Sequence, residues 1–302
     1  MPNAVVMTGY GPPEVLKWAA VPLPEPGEGQ IRIKVRAAGI SPTDLALRAG
    51  YLKDNIPLPP GVVLGFEAAG TVDAVGPGVT GTAAGDAVTA LLFGLGGYAE
   101  YAVASIWTRK PEPVSWVDAA ALPSSAEAAV GVLRQLKVTS GETLLLFGGG
   151  GSVGVIATQL AVAQRAKVIS VVGEHDEALA RELGATPVRY GPGVAGRVRA
   201  LGPVDAVFDA AGTGVLADAI ALAGGPERVI TLSDPAAAEF GVTLSEPTPG
   251  RAPGALDETI ALLAGGRLRL RAHTTMPMQQ AAEAHRQLES GTVHQRIILT
   301  LP

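Results

Sequence analysis

Four consecutive glycines separate two apolar stretches in "LLLFGGGGSVGVIATQL", Leu144 to Leu160. Free glycine backbone is costly to order, so the run is either a slack linker or a loop whose missing side chains make room for something. Its flanks decide. "TLLLF" reads as a strand and residues 152–164 read as a helix. Between them Gly149, Gly151 and Gly154 fit the spacing G-x-G-x-x-G. At a strand-to-helix junction the first glycine allows a tight turn and the second admits a diphosphate close to the backbone. The third lets the helix pack against the strand. The helix N-terminus adds free amides and a partial positive charge, so Ser152 and Val153 join the predicted contacts. The bland alternative is a glycine-rich turn without a ligand.

The residues that follow repeat the alternation. "KVISVV", "DAVFDA" and "RVITL" read as strands, and residues 176–183 and "VLADAIALA" as helices. Strand–helix alternation implies parallel βαβ units. The second strand runs into "VVGEHDE". Gly173 and Glu174, or Asp176, stand where an acid binds adenosine ribose hydroxyls; the acids also suit a helix start. Arg181, Arg189, Arg197 and Tyr190 are the groups able to meet a 2′-phosphate, so NAD(H) and NADP(H) both stay open. Ala210, Ala211 and Gly212 end a parallel strand and are expected to border the nicotinamide.

The first 115 or so residues differ in texture. "QIRIKVRAAGI" alternates apolar and polar residues, and "GTVDAVGPGV", "GDAVTALLF" and "YAEYAVAS" read as short strands between glycine turns. This half reads as a β-rich, partly open barrel. Near the end, "MQQAAEAHRQLESG" is a helix stopped by Gly291, followed by the strand "RIILTL".

The chain contains no cysteine, which removes disulfides, thiolate catalysis and cysteine zinc sites from consideration. Net charge is −5 with no dense Lys/Arg run, which argues against nucleic acid and anionic membrane as partners. The most apolar long window, residues 87–99, is shorter than the ~20 residues of a membrane span. No secretory leader pattern is visible at the start, so a soluble, cytoplasmic protein is expected.

Several segments together resemble the medium-chain dehydrogenase/reductase family, on the side of its zinc-free quinone oxidoreductases and enoyl reductases. They are "GISPTDLALRAGYL", "LGFEAAGTVDAVGPGV", "GGYAEYAV", "AAALPSSAEAA", the glycine loop, "ARELGA" and "AAEAHRQLESG". The resemblance implies an α/β chain. A GroES-like β-barrel catalytic domain spans 1–117 and is completed by 266–302. A Rossmann doubly wound parallel-sheet cofactor domain spans 118–265. It also implies a small-molecule substrate and a homodimer. Ser41 and Phe66 stand where the zinc branch carries cysteine and histidine, and neutral hydroxyl and phenyl groups cannot replace those ligands. No zinc is therefore expected. The zinc-free branch usually carries asparagine at the position of Ser41 and threonine at that of Ala128. Its NADPH enzymes carry a serine and a lysine after the second strand, and "GEHDEA" has neither. Tyr190 matches a family tyrosine that contacts the 2′-phosphate, so the resemblance favours NADP(H).

The implied activity is hydride transfer from a nicotinamide coenzyme to a quinone, enone or other activated C=C bond. The alternatives are a pathway-specific enoyl thioester reductase and a non-catalytic nicotinamide-nucleotide-binding protein. Such a reduction needs charge stabilisation and a proton for the resulting enolate. Tyr51 is the first candidate donor, with a pocket-lining role and proton supply from water as the alternative. Ser41 either bonds substrate or ribose, or caps a helix: "SPTD" places serine before a proline and an aspartate at the third helical position. Asp44 shares that choice. Phe66, Phe93, Leu95 and Trp107 are candidates for an apolar pocket. Glu67 reads as a partner for buried polar groups. His285 shares a helix stripe with Ala281 and Leu288 and reads as a packed, hydrogen-bonded histidine.

Overall fold

The computed structural model describes every residue from Met1 to Pro302. Contacts divide the chain into two compact units. One comprises 1–124, 256–265 and 272–302; the other comprises 125–255 and 266–271.

The first unit is built on a seven-stranded sheet. Its path runs through His273–Pro277, Arg296–Thr300, Ile31–Gly39, Glu67–Val75, Ala87–Leu91 and Ile106–Arg109, with Tyr101–Ala104 also pairing Ile31–Gly39. The alternation in "IRIKV" has the expected outcome: Ile31, Ile33 and Val35 are buried, while Lys34 between them is exposed. A three-stranded sheet joins Leu16–Ala20, Asn3–Met7 and Val62–Val63. The helix Ala281–Glu289 links the parallel strands His273–Pro277 and Arg296–Thr300. Its Ala281, Ala284 and His285 are buried, and Ala281 and Ala284 belong to the apolar cluster that includes Ile33, Leu64 and Tyr98.

The second unit is a six-stranded sheet. Its elements are β1 (Thr143–Phe147), α1 (Ser152–Ala163), β2 (Lys167–Val172), α2 (Glu177–Glu182) and β3 (Thr186–Arg189). They continue with α3 (Val194–Arg199), β4 (Ala206–Asp209), α4 (Leu216–Ala223), β5 (Val229–Thr231) and β6 (Thr243–Leu244). The strand order is 3-2-1-4-5-6 and every pairing is parallel. This is a doubly wound sheet, whose ligands sit off the carboxyl ends where the order reverses. That point lies between β1 and β4, where Phe147 faces Asp209 in register. Central β1 is apolar on both faces: Leu144, Leu145, Leu146 and Phe147 are all fully buried. Each contributes about 1.5–3 kcal/mol of burial.

The expected helix over 176–183 is shorter than its pattern. A 3-10 turn, Glu174–Asp176, precedes α2.

Candidate functional site

The glycine loop turns at the carboxyl end of β1. Gly148 takes the left-handed conformation (φ 83°), so the tight turn falls one residue before the first glycine of the motif. The amides of Gly148 and Gly149 donate to the Val171 carbonyl at 3.2 and 3.3 Å, and the Gly151 amide donates to the Gly148 carbonyl at 2.9 Å. An added side chain would crowd its neighbours at three places, against backbone at Gly154 and against side chains at Gly149 and Gly150. A Cβ on Gly149 would stand 1.7 Å from Ser170 Oγ, one on Gly150 2.2 Å from Asp176 Oδ2, and one on Gly154 2.2 Å from the Gly148 carbonyl oxygen. Gly151 differs. A Cβ there would meet only the Gly148 oxygen, at 3.2 Å. That single contact is tight, yet packing asks less of Gly151 than of Gly149, Gly150 and Gly154. Gly151 also caps α1 with no side-chain hydrogen bond. The loop and the first turn of α1, with Ser152 and Val153, thus form a concave backbone surface suited to an anion.

The segment after β4 lies beside the loop. A Cβ on Gly148 would be 3.1 Å from the Ala210 carbonyl carbon. Asp209 is fully buried; its Oδ1 accepts the amides of Ala211 and Gly212, each at 3.0 Å, and its Oδ2 accepts Thr231 Oγ1 at 2.8 Å. Its carboxylate is committed to shaping Ala210–Gly212 into a turn. Tyr190, just past β3, reaches toward the same end: its pKa is pushed up to about 12 by burial, offset by a hydrogen bond with the Gly148 backbone and reinforced by Asp209. Gly173 is extended, with open space where a Cβ would stand. Glu174 follows it, its side chain 68% exposed and paired with Arg189 at 3.2 Å. The structure thus brings Gly149–Gly154, Tyr190 and Ala210–Gly212 to one end of the sheet, with Gly173 and Glu174 at the end of the neighbouring strand.

The first unit holds a buried polar chain around Ser41. The helix Pro42–Ala49 starts with a complete capping box: Ser41 Oγ accepts the Asp44 amide at 3.2 Å, and Asp44 Oδ2 accepts the Ser41 amide at 2.8 Å. Ser41 Oγ also donates to Asp44 Oδ2 at 2.7 Å, and Asp44 Oδ1 accepts the Gly65 amide at 3.0 Å. Burial raises the pKa of Asp44, against these hydrogen bonds and the nearby Arg296. Tyr98 lies next to it, its phenol pushed far up by burial and by Asp44. Tyr98 Oη is 3.3 Å from His285 Nε2, with the two rings edge-on. His285 is fully buried, and burial, aided by Arg48, pushes its pKa down to about 3. Glu67 accepts the Ser124 amide at 2.9 Å and pairs closely with Arg296, which donates to the Ala121 carbonyl at 2.6 Å. Burial lowers the pKa of Arg296 to about 10, against the pull of Asp44.

The apolar candidates meet here in part. The Leu92 amide donates to the Phe66 carbonyl at 2.6 Å, and Gly96, Gly97 and Tyr98 bond back to Val63, Gly65 and Leu64. Phe66, Phe93 and Leu95 are therefore half-buried residues on adjoining segments. Leu95 adopts φ 64°, a left-handed conformation worth about 1–3 kcal/mol of strain. Trp107 lies on a sheet strand and donates to Thr82 Oγ1 at 3.1 Å. Tyr51 follows the left-handed Gly50 and is 84% exposed, lining a surface depression of about 600 Å³ with Pro42, Leu45, Arg48 and Glu289. No group of three or more His, Cys, Asp or Glu side chains is arranged to hold a metal ion.

Sequence reasoning passed over Gly148, Gly150, Tyr98, Arg48 and Arg296. Within four equal glycines nothing marks which one turns. Tyr98 and Arg296 gain their meaning only from partners far along the chain.

Residues 27–111 match the alcohol dehydrogenase GroES-like domain family, and residues 183–299 match the zinc-binding dehydrogenase family. The quinone oxidoreductase of Sus scrofa is 35% identical over 180 residues, which cover 58% of this chain and 54% of that protein. The chain thus spans about half the length of the curated quinone oxidoreductases it matches. A polyketide synthase component of Streptomyces venezuelae is 32% identical over 312 residues, covering 92% of this chain and 8% of that much longer protein. A mycobacterial structure complexed with NADPH superimposes with a TM-score of 0.85 at 28% identity, over the full length of both chains. No helix is long and apolar enough to cross a membrane.

Proposed function

Since the chain belongs to the medium-chain dehydrogenase/reductase family, we propose that it is a zinc-independent NAD(P)H-dependent oxidoreductase acting on a quinone, enone or other activated C=C substrate. The observation that carries this reading is the glycine loop, where an added Cβ would come within 2.2 Å of a neighbour at Gly149, Gly150 and Gly154 but meet only the Gly148 carbonyl oxygen, at 3.2 Å, at Gly151. The loop and the first turn of α1 fit a diphosphate. Gly149, Gly151, Ser152, Val153 and Gly154 would hold it, Gly173, Glu174 and Tyr190 would meet the adenosine ribose, and Ala210, Ala211 and Gly212 would border the nicotinamide. The bound coenzyme supplies the hydride.

The chain's own residues set the rest. Ser41 and Phe66 present neutral oxygen and carbon where a catalytic zinc would need thiolate and imidazole, which supports metal-free chemistry. Ser41 has given its proton to Asp44 and one lone pair to the Asp44 amide. With the cap intact it can accept a hydrogen bond but not donate one, so its role narrows to receiving a ligand hydroxyl. Tyr51 keeps an exposed phenol and is the proposed proton donor; Phe66, Phe93 and Leu95, which do not line its depression, are the proposed apolar wall of the substrate pocket.

A second reading is an enoyl thioester reductase of a biosynthetic pathway, favoured by the similarity to the polyketide synthase component over 92% of the chain. Coenzyme oxidation with a panel of quinones, enones and crotonyl-type thioesters separates the two. Turnover of free quinones and enones supports the first; turnover of thioesters alone supports the second. Coenzyme binding without any turnover would replace both with a non-catalytic nucleotide-binding role.

A further inference from the structure

The adenosine end of the glycine-loop unit carries a charge arrangement that discriminates between the two nicotinamide coenzymes. They differ by one 2′-phosphate, which carries about −1.5 to −2 charge at neutral pH. In a sheet of this order the ribose lies off the end of the second strand, where a carboxylate accepts the 2′-hydroxyl or an arginine takes the phosphate. Here that end is Val172-Gly173-Glu174, and Arg189 faces Val172 across the β2–β3 register.

Arg189 is the cation placed to receive a phosphate, and it is already engaged. Its Nη2 is 3.2 Å from Glu174 Oε1, and its Nε bonds closely to Glu177 Oε1. The other oxygen of Glu177 accepts Arg181 Nη2 at 3.0 Å. Arg197 turns Nη1 and Nη2 to backbone, 2.8 Å from the Pro192 carbonyl and 2.7 Å from that of Arg189. The third acid, Asp176, lies against Gly150, 3.7 Å from Arg271 Nη1. Glu174, Asp176 and Glu177 thus pair with Arg181, Arg189 and Arg271, and Arg197 is a fourth cation beside them, held by neutral backbone carbonyls. A phosphate dianion would have to displace two carboxylates to reach Arg189, while the exposed carboxylate of Glu174 can accept ribose hydroxyls. Glu177 stays ionised because Arg189 and Arg181 hold its pKa below the usual carboxylate range.

We propose that this chain selects NADH over NADPH, with Glu174 receiving the ribose hydroxyls and Arg189, clamped by Glu174 and Glu177, as the residue that positions it. The proposal rests on the coenzyme reading above and reverses the NADP(H) preference implied by family resemblance.

The test is a fluorescence titration of the full-length protein with NADH and with NADPH at low and high salt. NADH is expected to bind at least about tenfold tighter, with the gap narrowing as salt screens the carboxylates. Equal affinity, or tighter NADPH, would overturn the proposal while leaving the coenzyme reading intact. Binding of neither would overturn both. Replacing Glu174→Gln and Glu177→Gln together frees Arg189. NADPH affinity should then rise on the order of tenfold and NADH affinity fall, reversing the ratio. An unchanged ratio in a variant that melts normally would remove Glu174 and Arg189 from this role, and if the variant does not fold, the wild-type titration still decides.

Discussion

The two units build their candidate sites by different means. In the second, the surface proposed for the diphosphate is backbone: amides of the glycine loop and of the first turn of α1, in a loop where an added Cβ would crowd its neighbours. In the first, the groups around Ser41 are side chains: Asp44, Tyr98, His285, Glu67 and Arg296, all buried and joined to one another or to backbone. A backbone site needs only the right turn at the right strand end. A side-chain site needs partners brought from many places, and each buried charge or hydroxyl must find one. The first kind tolerates much change around it, provided the glycines stay. The second is sensitive to single deletions.

The largest expected effect is on the side-chain site. Glu67→Leu removes the carboxylate facing Arg296 in a buried setting and should cost about 3–5 kcal/mol in chemical denaturation. A loss below 1 kcal/mol would show that the ion pair is not integral to this unit.

His285 gives the pH dependence. Its folded pKa of about 3 lies below its ordinary value of 6.5, so the unfolded chain takes up the proton first. Its contribution to stability is full above about pH 6.5 and falls as the pH drops toward 3. Between pH 7 and 5 this amounts to about 2 kcal/mol. A His285→Gln variant should show a flatter stability profile over that window; an unchanged slope would assign the loss to other groups.

Ser41→Ala deletes one arm of the capping box and should destabilise by about 1 kcal/mol. The Asp44 carboxylate keeps the Ser41 and Gly65 amides, which limits the damage. Tyr51→Phe should change stability by less than about 0.5 kcal/mol, since the side chain stands in solvent. If its phenol supplies the proton, turnover should still fall at least about tenfold. Unchanged turnover would pass that role to water.

The same contrast explains what the sequence revealed. The strands Thr143–Phe147 and Lys167–Val172 are continuous apolar runs, and the glycine spacing sits directly on the chain, so the cofactor unit was legible. Within it, β3 was not: "TPVR" contains a proline and two polar residues on an edge strand. The two-residue β6 and the strand "HTTMP" carry too little pattern to read. "SPTD" announced the helix start, but a local signature could not show that Asp44 also takes the Gly65 amide and neighbours Tyr98. Glu67 and Arg296 lie 229 residues apart, and only the folded sheet places them together.

Gly151 offers the most direct test of the claim that loop backbone holds the coenzyme. A Cβ there would meet one atom, the Gly148 carbonyl oxygen at 3.2 Å, a tight contact that a small shift of the loop relieves, and φ is an ordinary −73°. Gly151→Ala, which adds that one carbon, should therefore fold and melt within about 1 kcal/mol of the wild type. Titrated with NADH, the wild type should bind saturably and the variant at least about thirtyfold more weakly, because the new side chain stands where the diphosphate would approach. Equal binding by the two proteins, or no binding by the wild type, would contradict the account.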